Sequence, residues 1–231
     1  MSPHPLRDPT EGSAGVPESC AWPTLALAVA ILPQVLVPAG DRVGPVVFVP
    51  VVESAVFIFM VVIVARRGPV PSKARPVIVG LLAALVAANT AGAANLVSLV
   101  LDGHPVDGVP LTATRLLAAG VIALTTNVLV FSLLYWQLDR GGPTGRGQAA
   151  AAYPDFLFPQ DTAGLAPDGW IPRFPDYLCL AYTNLVAFSP ADAVPLRSRA
   201  KGLMALQSMI ALAVIVVVIS RVINILPTPS G

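Results

Sequence analysis

Nine successive residues, Ala211 to Ile219, carry no polar side chain, and they sit inside a longer apolar stretch over 202–226. A helix crossing a hydrocarbon core of roughly 30 Å needs about 20 mostly apolar residues. Four further stretches have a similar character, 21–39, 45–65, 77–101 and 112–138. With a mean hydropathy of +0.74 and only 12% charged residues, the chain does not fit a water-soluble domain. The expected fold class is therefore all-α, an integral membrane helix bundle of five transmembrane helices plus one short helix that re-enters or spans.

The expected organisation follows from the same pattern. Residues 1–20 read as a disordered tail, since Pro3, Pro5, Pro9 and Pro17 interrupt them and Arg7 is opposed by Asp8, Glu11 and Glu18, unlike the basic start of a signal peptide. A four-helix membrane bundle over 21–138 precedes a Gly/Pro/Asp-rich connection over 139–174, then a short helix, turn and last span over 175–226, and a tail over 227–231. Pro23, Pro33 and Pro50 predict bends in the first two spans, and Trp22, Tyr135 and Trp136 mark headgroup-level ends.

Several function classes drop out on composition. The 14 Lys+Arg balance 13 Asp+Glu, so no basic patch of nucleic-acid-binding size exists. Cys20 and Cys179 lack metal-ligand spacing, and His4 and His104 have no ligand companions, so neither a metal site nor another cofactor is expected. HExxH, GxSxG, Walker and GxGxxG patterns are absent, and the chain is not expected to be an enzyme. Asp155, Asp161, Asp168 and Asp176 read as solvated loop acids. Arg outnumbers Lys by 12 to 2, a usage that resembles a GC-rich bacterial genome, and the expected location is a bacterial plasma membrane.

Lys and Arg in short connections favour the cytoplasmic side. With the N-terminus cytoplasmic and the short segment 175–188 re-entrant, Arg7, Arg66, Arg67, Lys73, Arg75, Arg140, Arg146, Arg173, Arg197, Arg199 and Lys201 lie inside, and Arg42, Arg115 and Arg221 outside. If 175–188 spans instead, Arg197, Arg199 and Lys201 move outside and Arg221 inside, a weaker asymmetry. As a helix the segment is only about 21 Å long, short for a span. Ahead of it, Tyr153, Phe156, Phe158, Trp170 and Phe174 make the connection either a surface linker or a segment whose aromatics dip into the headgroup region.

Ionisable and amide groups at membrane depth are the candidate functional residues. Glu53 falls near the middle of the second span, Asn89 and Thr90 near the middle of the third, and Thr125, Thr126 and Asn127 near the middle of the fourth. Gly80, Ala84, Ala88 and Gly92 form a small-residue stripe that could face Ala119, Ala123 and Asn127 across a tight interface. There Glu53 would accept hydrogen bonds from Asn89 or Asn127, either as glue between helices or as a proton or cation site.

The second candidate is YTNLVAFSPADAVPL, residues 182–196, which leads into the last span. Asp192 and Pro195 stand in an Asp-x-x-Pro pattern, Thr183 and Asn184 lie in the short helix before it, and Lys201 precedes the last helix. This outline resembles the pore module of two-helix potassium-type channels, over about a fifth of the chain. More broadly, the chain looks like an uncharacterised family of multi-pass bacterial membrane proteins with four helices before such an element. The resemblance implies a pore-like role for Thr183, Asn184 and Asp192. Ser189, Pro190 and Ala191 replace the Gly-Tyr-Gly run, however, so a potassium-selective filter of that type is not implied.

These readings converge on a small channel-like or transporter-like protein for ions or protons, its partners the lipid bilayer and further copies of itself. The path would run by Glu53, Asn89 and Asn127 or by Thr183, Asn184 and Asp192. The rival is a non-catalytic scaffold or accessory subunit whose polar residues only fix helix packing.

Overall fold

The computed structural model describes residues 22–26, 28–29, 75–102, 112–143, 145–146, 153–162, 165–167, 169–187 and 193–225. Four long elements stand out: α1 (Arg75–Asp102), α2 (Ala113–Leu138), α3 (Phe174–Ala187) and α4 (Ser198–Ile225). Residues 22–26 and 28–29 are also helical, inside the first expected span. The expected second span, the tails, Glu53 and Asp192 lie outside the described residues.

Among the described residues, three helical stretches are long and apolar enough to cross a membrane: Arg75–Asp102, Ala113–Gly141 and Ser198–Ile225. They coincide with three of the expected spans. Pro76 sits in the first turn of α1, where its missing N–H costs nothing. Thr112 caps α2 by accepting from the Arg115 N–H at 3.3 Å. At its far end α2 runs out in three residues with positive φ, Arg140 (51°), Gly141 (84°) and Gly142 (80°). Glycine is required at Gly142 for a second reason, because a Cβ there would lie 2.9 Å from the Gln137 carbonyl oxygen. Asp176 fixes the start of α3 by accepting from the Arg173 N–H at 2.7 Å.

Helix directions decide how the short helix enters. Asp139, at the C-terminal end of α2, accepts a hydrogen bond from Tyr177 in the first turns of α3 (2.6 Å). It also accepts from the backbone N–H of Asp155 (2.7 Å), and Asp155 pairs with Arg199 at the start of α4. Strand β1 (Phe156–Leu157) joins β2 (Val194–Pro195) antiparallel, with Phe156 opposite Pro195. The end of α2 and the starts of α3 and α4 therefore share one end of the bundle. Deeper in, Asn184 of α3 donates to the Met204 carbonyl of α4, so α3 and α4 run side by side in the same sense. After α3 the chain returns to the end from which it came. At 14 residues α3 is about 21 Å long, half of the 28-residue α4.

Helix α2 packs against α1, α3 and α4 and forms the centre of the bundle. It comes close to α4 at Gly120, where a Cβ would lie 3.2 Å from Val218 Cγ1. The expected α1–α2 stripe is corrected in its outer half only, since Ala88 is 1% exposed and Gly92 half-buried. Gly80 and Ala84 are exposed, nothing comes within 4 Å of a Cβ placed on Gly80, and α1 buries Ile78, Leu82, Leu85, Val86 and Leu96 beside Ala88, Asn89 and Ala93. Larger side chains bury more apolar area per contact, and they select the face. Tyr135 and Trp136 are a second correction. Both are buried, Tyr135 against Phe131 and Phe156 and Trp136 against Phe174, rather than standing at a lipid boundary.

Candidate functional site

Polar side chains gather at two levels of the bundle. The deeper level is a layer of amides. Measured from the end that holds Asp139, at 1.5 Å per residue, Gln207 lies about 14 Å in, Asn184 about 15 Å, Asn127 about 18 Å and Asn89 about 21 Å. Arg75 marks the same end for α1, since a Cβ on Gly142 would lie 3.6 Å from its Nε. All four amides are buried.

Two of them form a closed lock. Gln207 Oε1 accepts from the Tyr135 hydroxyl at 2.7 Å and from Asn184 Nδ2 at 2.9 Å, while Gln207 Nε2 donates to the Ala181 carbonyl at 2.9 Å. Asn184 Nδ2 also reaches the Met204 carbonyl at 3.0 Å, and Ser208 Oγ donates to the Asn184 carbonyl at 3.3 Å. Three helices are thereby tied through side-chain hydrogen bonds. The sequence reading picked out Asn184 and passed over Gln207, although an amide inside the most apolar span is the same signal that singled out Asn89.

The other two are open. Asn127 is 0% exposed, and neither its Oδ1 nor its Nδ2 has a hydrogen-bond partner among the described residues. Asn89 is 6% exposed with its Nδ2 in the same condition. Neighbouring hydroxyls are turned to their own helices: Thr90 donates to the Val86 carbonyl and Ser132 to the Leu129 carbonyl, each at 2.8 Å.

Thr183 lies elsewhere, on the flank of α3 that faces the connection. A cleft of about 70 Å³ opens there, lined by Phe158, Gln160, Asp176, Cys179, Thr183 and Ala193. Thr183 Oγ1 donates to the Leu180 carbonyl at 3.1 Å, leaving its oxygen lone pairs toward other groups. The structure thus separates Asn89 and Asn127 from Thr183, and Asn184 turns away from the cleft into the lock.

The second level is a clasp at the shared end. Asp139 is fully buried, and besides Tyr177 and the Asp155 N–H it takes the Phe156 N–H at 3.3 Å. Asp155, 1% exposed, holds Arg199 by two bonds of 2.5 and 2.6 Å, and Asp161 holds Arg140 at 2.5 Å. Arg146 donates to the carbonyls of Trp136 and Pro172 and stacks over the rings of Tyr177 (4.7 Å) and Trp136 (5.6 Å). Phe156 and Phe158 meet Tyr177 edge-on, and Trp170 packs on Phe158. The expectation of solvated loop acids is corrected for Asp155 and Asp161, which are ion-pair partners, while Asp168 lies outside the described residues. A free surface linker is corrected too, since Phe156, Phe158 and Phe174 are buried in protein.

Among the described residues, no group of three His, Cys, Asp or Glu side chains is placed to hold a metal ion. No family model, curated protein or solved structure matches this chain.

Proposed function

We propose that the chain is a multi-pass protein of a bacterial plasma membrane, with five spanning helices and a re-entrant hairpin, that provides a channel-like or transporter-like path for protons or small ions. The observation that carries this reading is the course of α3. It enters beside α4 from one end, stops at about half of the length of α4, and the chain returns to the same end. Non-helical backbone at membrane depth is tolerated only where protein buries it or a water-filled cavity receives it. Half-depth hairpins of this kind are therefore suited to lining a path. Thr183 and Asp192 belong to the hairpin side of such a path, and Glu53, Asn89 and Asn127 to the bundle side, with further copies of the chain completing the enclosure. Arg75, Arg140, Arg146, Arg173, Arg197, Arg199 and Lys201 all fall at the shared end, which makes that end cytoplasmic on the positive-inside rule.

The competing reading, a scaffold or accessory subunit without a path, is favoured by the Tyr135–Asn184–Gln207 lock, where buried polar groups serve only to join helices. Purified protein in liposomes distinguishes them. Transport predicts proton or monovalent-cation flux that falls when Glu53→Gln or Thr183→Trp is introduced. Vesicles of verified orientation that remain tight, with correctly assembled protein, leave the scaffold.

A further inference from the structure

We propose that Asn127 seats a small protic ligand, a water molecule in its simplest form, in the middle of the bundle. An asparagine amide offers one acceptor and two donor hydrogens. At Asn127 both kinds stand without a partner among the described residues, on a side chain that is 0% exposed. Buried polar groups in native proteins are almost always bonded, to protein or to ordered water, because each orphan costs about 1–3 kcal/mol.

The identity of the missing atoms selects the chemistry. A metal cation would satisfy Oδ1 and leave Nδ2 facing a positive charge; an anion would do the reverse. Only a group that both donates and accepts meets the oxygen and an N–H of the amide together. Water does so with a bond to spare, and buried waters typically make about three. Asn89 Nδ2, on the adjoining α1 and about 3 Å further from the shared end, is a second buried donor without a partner among the described residues. Thr90 and Ser132 spend their protons on their own backbones, so they do not supply the donor that Oδ1 requires. The proposal rests on the transport reading in one respect only: it makes the species handled at this depth hydrogen-bonded water, and a proton relayed through it, rather than a dehydrated metal cation.

Radiolytic hydroxyl-radical labelling of the full chain in lipid nanodiscs tests the site directly, because bound water generates radicals that oxidise the side chains beside it. Val130 and Phe131, one helical turn from Asn127 and both 0% exposed, should be oxidised severalfold more than the equally buried Leu116 near the start of α2. Asn127→Leu should bring them down to the level of Leu116, and Asn127→Gln should keep most of the signal. Labelling of Val130 and Phe131 no greater than that of Leu116 in the native protein overturns the proposal, whether or not the leucine variant folds. Proton flux is measured on the same preparations. Strong labelling without flux upholds the site and removes only the transport reading, whereas flux without labelling upholds transport and overturns the site.

Discussion

Asp155 and Arg199 are unequal partners. The carboxylate is 1% exposed and the guanidinium 47%, so either side chain can be removed with a different residue left behind. Arg199→Ala strands a buried charge, a loss on the order of 3 kcal/mol. Asp155→Ala leaves an arginine that water can reach, and its cost should be about 1 kcal/mol. Thermal unfolding in detergent should therefore rank Arg199→Ala as the more damaging change, with the double substitution close to Asp155→Ala alone. Equal losses in the two single variants would mean that the pair is solvated and does not hold the clasp. None of this was legible in the sequence, where Asp155 is one of several acids in a Gly/Pro-rich connection and its partner lies 44 residues away.

At the scale of elements, α3 depends on one side chain of α4. Gln207→Leu deprives both the Tyr135 hydroxyl and an Asn184 N–H of their acceptor, at about 2–3 kcal/mol. With Asn184→Leu, Gln207 Oε1 still receives Tyr135, and the cost should be about 1 kcal/mol. Urea or detergent titration of the two variants tests the order, and a larger loss at Asn184 would show that Gln207 is not the hub. The elements themselves were far easier to foresee than this lock. Apolar length gives α1, α2 and α4 without knowledge of their neighbours, and the short apolar segment 175–188 became Phe174–Ala187. Faces were harder. Of the stripe Gly80, Ala84, Ala88 and Gly92 only Ala88 is fully buried, and leucines and valines make up most of the packed face of α1, because small residues permit close approach without requiring it. Of the candidate residues, Asn89 and Asn127 were found because an amide in an apolar run is visible in the sequence. That their amides lack partners could not be read there, since it depends on what every surrounding side chain is already doing.

For the whole molecule, the helix directions bind the orientations of separate segments together. If the Asp139 end is cytoplasmic, cysteine probes in 66–75 and 139–173 should be labelled only from that side, a probe near 107 from the outside, and a reporter after Gly231 should also lie outside. A cytoplasmic reporter combined with cytoplasmic labelling of 139–173 would mean that α4 does not follow α3 in parallel. Reversal of all four signals together would leave the fold intact and turn the protein over.

The parallel course of α3 and α4 also dictates an order of assembly. Until α4 is in place, Asn184 has no Gln207 to meet, and the strand pair that draws the chain back has no second member. An isolated half-length helix with an unmatched amide has little reason to leave the membrane surface. On the proposed membrane placement, α1 and α2 can insert on their own apolarity as they are synthesised, whereas α3 would wait at the interface for a helix made after it. The hairpin is thus the last part to settle, and it closes as a unit, when the late-arriving α4 supplies its partners.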